Sequence, residues 1–309
     1  MQPYCILFNM TMPESVIEEL RKIVRPVSID DVIENNLYDK IVVAIASPMI
    51  GFEDVWFERL PNLKLVAVFG VGTDKINLEK AKAHNIQVTI TRDILTSEVA
   101  DLAFALLLSA SRGILNADHF VRSGAWAKGA SFPLTNSISD KRLGIVGLGA
   151  IGHAIGKRGE AFNMKPSYYN RRKKADVEWT YYNNIVELAK NSDVLIAAIA
   201  ATPETQKIIN QDVLNALGPN GIFINIARGT IVDELALIAA LQEKRIAYAG
   251  LDVFWNEPTI NSAFCALDNV VLVPHQGSAT FETRHKMALC VVDNIKAVLA
   301  NEPALTPVQ

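Results

Sequence analysis

The turn at residues 147–152 constrains the fold of this chain more than any other segment. It reads GLGAIG, and it stands between an apolar run at residues 143–147 and a helical pattern that begins near Ala150. A second apolar run ends at Tyr169. A glycine-rich turn that joins a strand to a helix, with another strand after it, is typical of a dinucleotide-binding βαβ unit.

Each glycine of this turn has a physical reason. Gly147 permits the tight turn, Gly149 leaves the backbone open to a pyrophosphate, and Gly152 lets the helix pack closely on the sheet. The free N–H groups and the partial positive charge of the helix N-terminus favour phosphate at the same place. The alternative is an ordinary strand-to-helix turn. We predict that a dinucleotide cofactor binds Gly147, Gly149, Ala150, Ile151 and Gly152.

The residues after the second strand predict which dinucleotide is preferred. An NAD site usually has an acidic residue there, which accepts hydrogen bonds from the ribose 2′-OH. This chain instead has Asn170, Arg171 and Arg172, followed by two lysines. Guanidinium groups form charge-assisted hydrogen bonds to a 2′-phosphate, which a carboxylate would repel. The run predicts NADP (NADPH) with these three residues as ligands, the alternative being a solvated basic turn.

Short apolar runs alternate with helical patterns, which predicts an α/β fold with parallel sheets covered on both faces. Strands are predicted at residues 41–45, 65–69, 86–89, 143–147, 166–169, 194–198, 221–226, 247–251 and 270–273. Helices are predicted from Thr96 onward and at residues 185–190, 211–217, 234–244 and 280–299. Residues 113–142 are predicted to form a connecting arm, in whose core Trp126 packs.

The composition excludes several classes of function. A formal net charge of −3, from 30 basic and 33 acidic residues, disfavours a general nucleic-acid binder. The isolated Cys5, Cys265 and Cys290 indicate neither a disulfide framework nor a zinc site, and free thiols fit a reducing compartment. No targeting segment is visible, and the apolar stretches are far shorter than the ~20 residues that span a bilayer. We expect a cytoplasmic protein with no metal, no membrane partner and no nucleic acid.

Polar side chains follow three of the later predicted strands. The segments there read NIARG, GLDVFWNEP and VPHQGS. Because ligands of open parallel sheets bind outside the carboxyl ends of the strands, these side chains are well placed for a site. We expect Arg228, Asp252, Glu257 and His275 to face a bound nicotinamide.

Five segments taken in order resemble the D-isomer-specific 2-hydroxyacid dehydrogenases, along nearly the whole chain. They are FGVGTD (69–74), GLGAIG (147–152), NIARG (225–229), GLDVFWNEP (250–258) and PHQGSAT (274–280). The spacing also fits, with 29 residues from Arg228 to Glu257 and 18 from Glu257 to His275. Within the family, the sequence is most similar to the glyoxylate, hydroxypyruvate and hydroxyphenylpyruvate reductases.

This resemblance implies a role for each of three catalytic residues. Arg228 would hold the substrate carboxylate and carbonyl through its planar guanidinium. His275 would donate a proton to the carbonyl oxygen while hydride reaches C2. Glu257 would hydrogen-bond the imidazole, fixing its tautomer and stabilising its charged form.

The resemblance also implies contacts outside the catalytic group. The main chain at Val71 and Gly72 would offer N–H groups to the substrate carboxylate, and Asp252 would orient the nicotinamide carboxamide. The remaining implied cofactor contacts are Thr202, Pro203 and Ala227. A homodimer is implied as well.

We predict two domains, a Rossmann cofactor domain (99–280) inserted in a flavodoxin-like substrate domain (1–98 and 281–309), with the active site in the cleft between them. The expected reaction is hydride transfer from NADPH to the keto carbon of a small 2-keto acid, such as glyoxylate or hydroxypyruvate, giving the D-2-hydroxy acid. Two alternatives stay open: a reductase of a bulkier, aromatic 2-keto acid, and a dinucleotide-sensing, corepressor-like protein without catalysis.

Overall fold

A computed structural model describes residues 2–8, 12 and 14–308, and its chain divides into two compact units. The first unit is Met1–Leu95 together with Ser278–Gln309, and the second is Thr96–Gly277. Met1 and Gln309, the outer ends of the predicted substrate domain, lie outside the described residues. The assignment of one unit to substrate and the other to cofactor stays a prediction.

Strands and helices alternate along the described chain. The strands are β1 (Tyr4–Leu7), β2 (Arg25–Ser28), β3 (Ile41–Ala46), β4 (Leu65–Val68), β5 (Gln87–Thr89), β6 (Arg142–Val146), β7 (Lys165–Tyr169), β8 (Thr180–Tyr182), β9 (Val194–Ala197), β10 (Ile222–Asn225), β11 (Tyr248–Leu251) and β12 (Val270–Leu272). The α-helices are α1 (Glu14–Ile23), α2 (Ile29–Glu34), α3 (Asp54–Arg59), α4 (Leu78–Ala83), α5 (Thr96–Arg112), α6 (Ile114–Arg122), α7 (Ala150–Ala161), α8 (Ile185–Lys190), α9 (Gln211–Leu217), α10 (Glu234–Gln242) and α11 (Phe281–Leu299). Short 3-10 segments lie at Tyr38–Lys40, Pro203–Thr205, Gly229–Ile231 and Ser262–Ala266.

The first unit is a parallel sheet in the order β2-β1-β3-β4-β5, with helices packed against it. This is the flavodoxin-like strand order. Its core contains edge-to-face aromatic pairs, with ring centroids 5.2 Å apart for Phe8 and Phe52 and 4.7 Å apart for Phe52 and Phe57. Such contacts stabilise a core beyond the area that the rings bury.

The C-terminal segment belongs to the first unit because its polar groups are satisfied there. The Thr280 hydroxyl accepts a hydrogen bond from the Thr283 N–H and caps α11, which packs on α1 and β4. After α11, the Asn294 side chain accepts hydrogen bonds from the N–H groups of Leu305 and Thr306. The Thr306 carbonyl in turn accepts one from the Ile90 N–H, which ties this segment to the end of β5.

The second unit is a parallel sheet in the order β12-β11-β10-β9-β6-β7-β8. When β6 is counted as strand 1, the order is 7-6-5-4-1-2-3, which is the doubly wound Rossmann order with one further strand. The strand order reverses between β6 and β9. The loops after these two strands therefore leave on opposite sides, opening a crevice at the carboxyl ends of the strands. The central strands β9 and β10 are buried along their whole length, which explains why their sequences are continuous apolar runs.

The predicted α/β class with two parallel sheets is confirmed. The helices α8 and α9 have the bounds predicted from the sequence, and the predicted strands end within one residue of those observed. The strands β1, β2 and β8 were not predicted. No helix within residues 2–8, 12 and 14–308 is long and apolar enough to cross a membrane.

The connecting arm at residues 113–142 contains a helix that was not predicted, and the prediction for Trp126 was wrong. This regular helix is α6. Its apolar residues Ile114, Leu115 and Val121 form no buried face, so the sequence lacks the usual pattern of a helix packed on a core. Trp126 does not pack in a core, since it lies in a turn and is 67% exposed. The arm therefore presents an apolar surface to the outside of this chain.

Candidate active site and cofactor loop

The glycine turn lies between β6 and α7, at the carboxyl edge of the second sheet. Gly147 has a φ of +96°, and a Cβ placed on it would lie 2.6 Å from the Cα of Ile199. A Cβ on Gly152 would collide with the carbonyl oxygen of Gly147. The protein's own packing therefore requires glycine at both positions.

Gly149 differs from its neighbours because a Cβ there would meet no atom within 4 Å. It is the N-cap residue of α7, and its φ of −87° is open to any amino acid. The fold thus leaves free space beside the first N–H groups of a twelve-residue helix. Free N–H groups at an open helix N-terminus fit the pyrophosphate of a dinucleotide.

The basic turn, which we define as residues 170–174, begins where β7 ends. The Gly147 N–H donates to the Tyr169 carbonyl at 2.9 Å, so the glycine turn and the start of the basic turn are linked. Asn170 is partly buried, whereas Arg171 and Arg172 are exposed. The structure therefore places these three residues beside the glycine turn and directs two guanidinium groups toward solvent.

Thr202 and Pro203 lie at the start of the 3-10 segment that follows β9, and both are exposed. The pKa of Glu204 in this segment is lowered, chiefly by a hydrogen bond from the Thr202 hydroxyl and in smaller part by the positive charge of Arg171. Arg171 therefore lies near enough to Glu204 to act on its charge.

Arg228 follows β10 on a turn that the buried Asn225 shapes. The Asn225 side chain accepts a hydrogen bond from the Ala227 N–H at 3.0 Å and donates one to the Arg228 carbonyl at 2.9 Å. The Arg228 guanidinium donates to the Ala227 carbonyl at 2.7 Å. Sequence reasoning assigned no role to Asn225, although a buried polar residue at the end of an apolar strand was a usable signal.

The turn that carries Arg228 packs directly on the segment that carries Glu257. A Cβ on Gly229 would collide with the main chain of Phe254, so the two backbones touch at this point. The Trp255 indole N–H also donates to the Val232 carbonyl at 2.7 Å. These contacts hold the loop after β10 against the loop after β11.

Glu257 and His275 form a hydrogen-bonded pair. The distance from Nδ1 of His275 to Oε2 of Glu257 is 2.6 Å, and the two side chains are 23% and 18% exposed. The other oxygen of Glu257, Oε1, accepts the Phe254 N–H at 2.8 Å. Because Glu257 occupies Nδ1, the nitrogen of His275 that remains for a ligand is Nε2.

The electrostatics of this pair favour an ionised Glu257. Burial alone would raise its pKa, but hydrogen bonds from His275 and from the Phe254 N–H outweigh that effect, aided by the positive charges of His275 and Arg228. The pKa of Glu257 is consequently lowered. An ionised carboxylate hydrogen-bonded to Nδ1 holds the imidazole ring in a fixed orientation.

Asp252 is 2% exposed and holds the turn that carries His275. Its Oδ1 accepts the Gln276 N–H at 2.6 Å, its Oδ2 accepts the Gly277 N–H at 3.0 Å, and its carbonyl accepts the His275 N–H at 2.9 Å. His275 has a φ of +50°, a left-handed conformation that an L-residue adopts at a cost of about 1–2 kcal/mol. These three bonds hold it there.

Burial raises the pKa of Asp252 from 3.8 to about 6. The hydrogen bonds from Gln276 and Gly277 and the charge of His275 oppose this shift but do not cancel it. Asp252 is therefore a carboxylate whose ionised form is costly to bury. The three N–H groups around it show that it anchors the His275 turn, whatever contact it makes with a cofactor.

The second unit thus brings together Arg228, Glu257 and His275, with Asp252 beneath the turn that carries His275. Val71 and Gly72 belong to the first unit, where they follow β4. Their proposed part in substrate binding stays a prediction.

Comparison with known proteins identifies the chain. The family model described as D-isomer specific 2-hydroxyacid dehydrogenase, NAD binding domain, matches residues 104–277, more than half of the sequence.

The protein belongs to the D-isomer-specific 2-hydroxyacid dehydrogenases.

Named relatives of this dehydrogenase family agree with that match. A hydroxyphenylpyruvate reductase from Plectranthus scutellarioides is 47% identical over 270 residues, which is 87% of this chain and 86% of that one. A 2-ketogluconate reductase from Gluconobacter oxydans is 50% identical over 251 residues, 81% of both chains. The crystal structure of an NADPH-dependent glyoxylate/hydroxypyruvate reductase from Sinorhizobium meliloti, in complex with NADP and malonate, is 39% identical with a TM-score of 0.94, over 99% of this chain and 97% of that one. The resemblance read from the sequence is confirmed, and the chain is an oxidoreductase of this family.

The open space at Gly149 generates a prediction that separates binding from stability. Gly149→Ala should lower the free energy of unfolding by no more than about 1 kcal/mol, the cost of alanine at a helix N-cap, since the added methyl meets no protein atom. The same methyl would occupy the approach of a phosphate, so the dissociation constant of the dinucleotide should rise tenfold or more, about 1.4 kcal/mol. Urea unfolding and a fluorescence titration with the reduced cofactor measure the two effects. Gly152→Ala is the matched control and should lose stability, and unchanged cofactor affinity in Gly149→Ala would contradict this account.

The raised pKa of Asp252 predicts a slope of stability against pH. Between pH 4 and about pH 6 the unfolded carboxyl has lost its proton while the folded one keeps it, so stability falls as the pH rises through this window. A rise of the pKa from 3.8 to about 6 corresponds to roughly 3 kcal/mol of stability. Asp252→Asn cannot titrate and lacks this slope. Urea unfolding at pH 4, 5, 6 and 7 should show the wild type losing stability relative to the variant; parallel curves would refute the shift.

Proposed function

We propose that this dehydrogenase transfers hydride from NADPH to the keto carbon of a small 2-keto acid, such as glyoxylate or hydroxypyruvate, and yields the D-2-hydroxy acid. The observation that carries the proposal is the 2.6 Å hydrogen bond between His275 and Glu257, on segments packed beside the turn of Arg228. An oriented imidazole near a guanidinium is what the reduction of a carbonyl next to a carboxylate requires.

His275 is the proposed general acid. Glu257 accepts a hydrogen bond from Nδ1–H, which fixes the tautomer and leaves Nε2 to protonate the carbonyl oxygen. When bound, the reduced nicotinamide supplies the hydride that reaches the keto carbon. The proton from Nε2 completes the alcohol, and the carboxylate of Glu257 stabilises the imidazolium beforehand. In the reverse direction His275 takes the proton back.

Arg228 is the proposed substrate anchor. Its guanidinium already uses one N–H on the Ala227 carbonyl, which holds the side chain in a defined direction. A planar guanidinium suits a carboxylate, and its charge favours the electron density that develops on the keto oxygen. We assign the main-chain N–H groups of Val71 and Gly72 to the same carboxylate.

The proposed preference for NADPH rests on the basic turn. Arg171 and Arg172 are exposed beside the glycine turn, at the position where an acidic residue would receive a ribose 2′-OH. Asn170, Thr202, Pro203, Ala227 and Asp252 are the further proposed cofactor contacts. The relative from Sinorhizobium meliloti, whose structure contains NADP, supports this preference.

The substrate is proposed as a class rather than as one compound. The relatives are named for glyoxylate, hydroxypyruvate, hydroxyphenylpyruvate and 2-ketogluconate, which share a 2-keto acid group and differ in the side chain. A bulkier, aromatic 2-keto acid is therefore the second candidate, favoured by the 47% identity to the hydroxyphenylpyruvate reductase. These relatives are all reductases, which supports catalysis over the corepressor-like alternative.

We further propose a homodimer that forms through the arm of the second unit. The side chains of Trp126 and Leu134 are 67% and 102% exposed, and Ile114, Leu115 and Val121 are about half exposed. Apolar side chains gathered on one segment mark a surface that another protein covers. Sedimentation in solution tests this, and a monomer at micromolar concentration would refute it.

The division of the chain into two compact units supports the proposal that the first unit binds the substrate and the second binds the cofactor. The free thiols of Cys5, Cys265 and Cys290 support a reducing compartment, and we propose the cytoplasm. Fractionation of cells that express the tagged protein tests this assignment, and recovery outside the cytoplasm would contradict it.

Replacement of His275 tests the proposed chemistry. His275→Ala should lower kcat with NADPH and glyoxylate or hydroxypyruvate by roughly 100- to 10,000-fold, because the proposed proton donor to the carbonyl oxygen is lost. Loss of nicotinamide absorbance measures kcat, and fluorescence titration should show that NADPH still binds. Near-normal turnover would remove His275 from the acid–base role.

Replacement of the two arginines tests the cofactor preference. The double variant Arg171→Ala, Arg172→Ala should raise the dissociation constant of NADPH by about 10- to 100-fold, since charge-assisted hydrogen bonds to the 2′-phosphate are lost. NADH, which lacks that phosphate, should bind nearly as before. Lys165→Ala is a control that removes a positive charge at the far end of β7. Equal losses of affinity for NADPH and NADH would show that the two arginines belong to a solvated turn and do not bind the 2′-phosphate.

A further inference from the structure

Two tyrosines lie beneath the basic turn and bond to its two ends. Tyr168 on β7 and Tyr181 on β8 are direct neighbours in the parallel register. Their rings are 5.4 Å apart at an interplanar angle of 50°, and Tyr168 is completely buried. We call them the tyrosine pair.

Each hydroxyl of the tyrosine pair holds the backbone of one end of the turn. The Tyr168 hydroxyl accepts the Lys174 N–H at 2.9 Å and lies 3.5 Å from the Lys174 carbonyl. The Tyr181 hydroxyl donates to the Asn170 carbonyl at 3.2 Å. Between these two points the Asn170 side chain donates to the Arg172 carbonyl at 3.2 Å. The backbone on both sides of the two arginines is therefore fixed.

We propose that Tyr168 and Tyr181 are positioning residues that set the preference for a 2′-phosphorylated dinucleotide by holding the basic turn in its binding conformation. This inference rests on the proposed function of Arg171 and Arg172. In this proposal each tyrosine acts through the main chain that carries the arginines, to which its hydroxyl is hydrogen-bonded.

The charge of the turn explains why such a restraint is needed. Four consecutive cationic side chains, at residues 171–174, repel one another and favour an extended, mobile loop. A mobile loop must be ordered when it binds a ligand, and the loss of conformational entropy weakens binding. Bonds at residues 170 and 174 that already exist without ligand remove part of this cost.

The restraint should act on one part of the dinucleotide only. The pyrophosphate is assigned to the glycine turn, whose conformation is fixed by the packing of Gly147 and Gly152 rather than by the tyrosines. A looser basic turn would therefore weaken contacts to the 2′-phosphate and leave the rest of the cofactor bound. Selectivity between NADPH and NADH is the quantity that the tyrosine pair controls.

The test uses variants that remove only the hydroxyls. Tyr168→Phe, Tyr181→Phe and the double variant keep the rings and their packing. Fluorescence titration gives the dissociation constants of NADPH and NADH, and steady-state assays give kcat at saturating NADPH. Tyr182→Phe is the matched control, because successive residues of a strand point to opposite faces and Tyr182 lies on the other face of β8.

We expect the double variant to bind NADPH about 3- to 10-fold more weakly, the range that the loss of one or two hydrogen bonds gives. NADH binding and kcat at saturating NADPH should stay within about twofold of the wild type, and Tyr182→Phe should match the wild type throughout. Rising salt should weaken NADPH binding less in the double variant than in the wild type, because its arginines are no longer held at the phosphate.

Two results would overturn the inference. Unchanged selectivity in all three variants would show that the hydroxyls do not position the arginines. Equal weakening of NADPH and NADH, in the single variants as well as the double one, would show a merely structural role. Failure of the proposed function looks different: the wild type would have no preference for NADPH, or the Arg171→Ala, Arg172→Ala variant would retain one.

Discussion

The buried carboxylate of Asp252 is the group on which the geometry of the candidate site depends. It holds the turn after β12 through the N–H groups of Gln276 and Gly277, and so keeps His275 in a left-handed conformation. In that conformation the imidazole meets Glu257 at 2.6 Å. Burial raises the pKa of Asp252, so the ionised form of this anchor is costly, and the anchor lies at the proposed centre of chemistry.

The parallel sheet of the second unit makes this arrangement possible. Arg228 follows β10, Asp252 and Glu257 follow β11, and His275 follows β12, three adjacent strands whose carboxyl ends share one edge. The backbone of Gly229 packs directly on that of Phe254, so the loop after β10 contacts the loop after β11. The glycine turn lies at the same edge, where the strand order reverses between β6 and β9. A hydride donor bound there and a proton donor at β12 would meet at one substrate.

The sequence predicted those parts of the fold whose signal is local. Central strands such as β9 and β10 are apolar runs, and α8 and α9 have helical patterns in their sequences, so both kinds of element were recognised. The edge strands β2 and β8 are short and partly exposed, and only pairing with a neighbour makes them strands. Arg228, Glu257 and His275 were singled out because their motifs occur in order along the chain. The hydrogen bonds of Asn225, Asp252 and the tyrosine pair were not predicted, since they depend on which strands are neighbours and in which register.

The central claim is that hydride passes from NADPH to the keto carbon of a 2-keto acid. Its most direct test is to incubate the protein with glyoxylate or hydroxypyruvate and NADPH that carries deuterium at both C4 positions, and to analyse the hydroxy acid by mass spectrometry and chiral chromatography. The account predicts one deuterium at C2 of each product molecule. The product of hydroxypyruvate, whose C2 is chiral, should have the D configuration. A protein that binds the labelled cofactor but leaves the deuterium on it, with these substrates and with an aromatic 2-keto acid, would contradict the account.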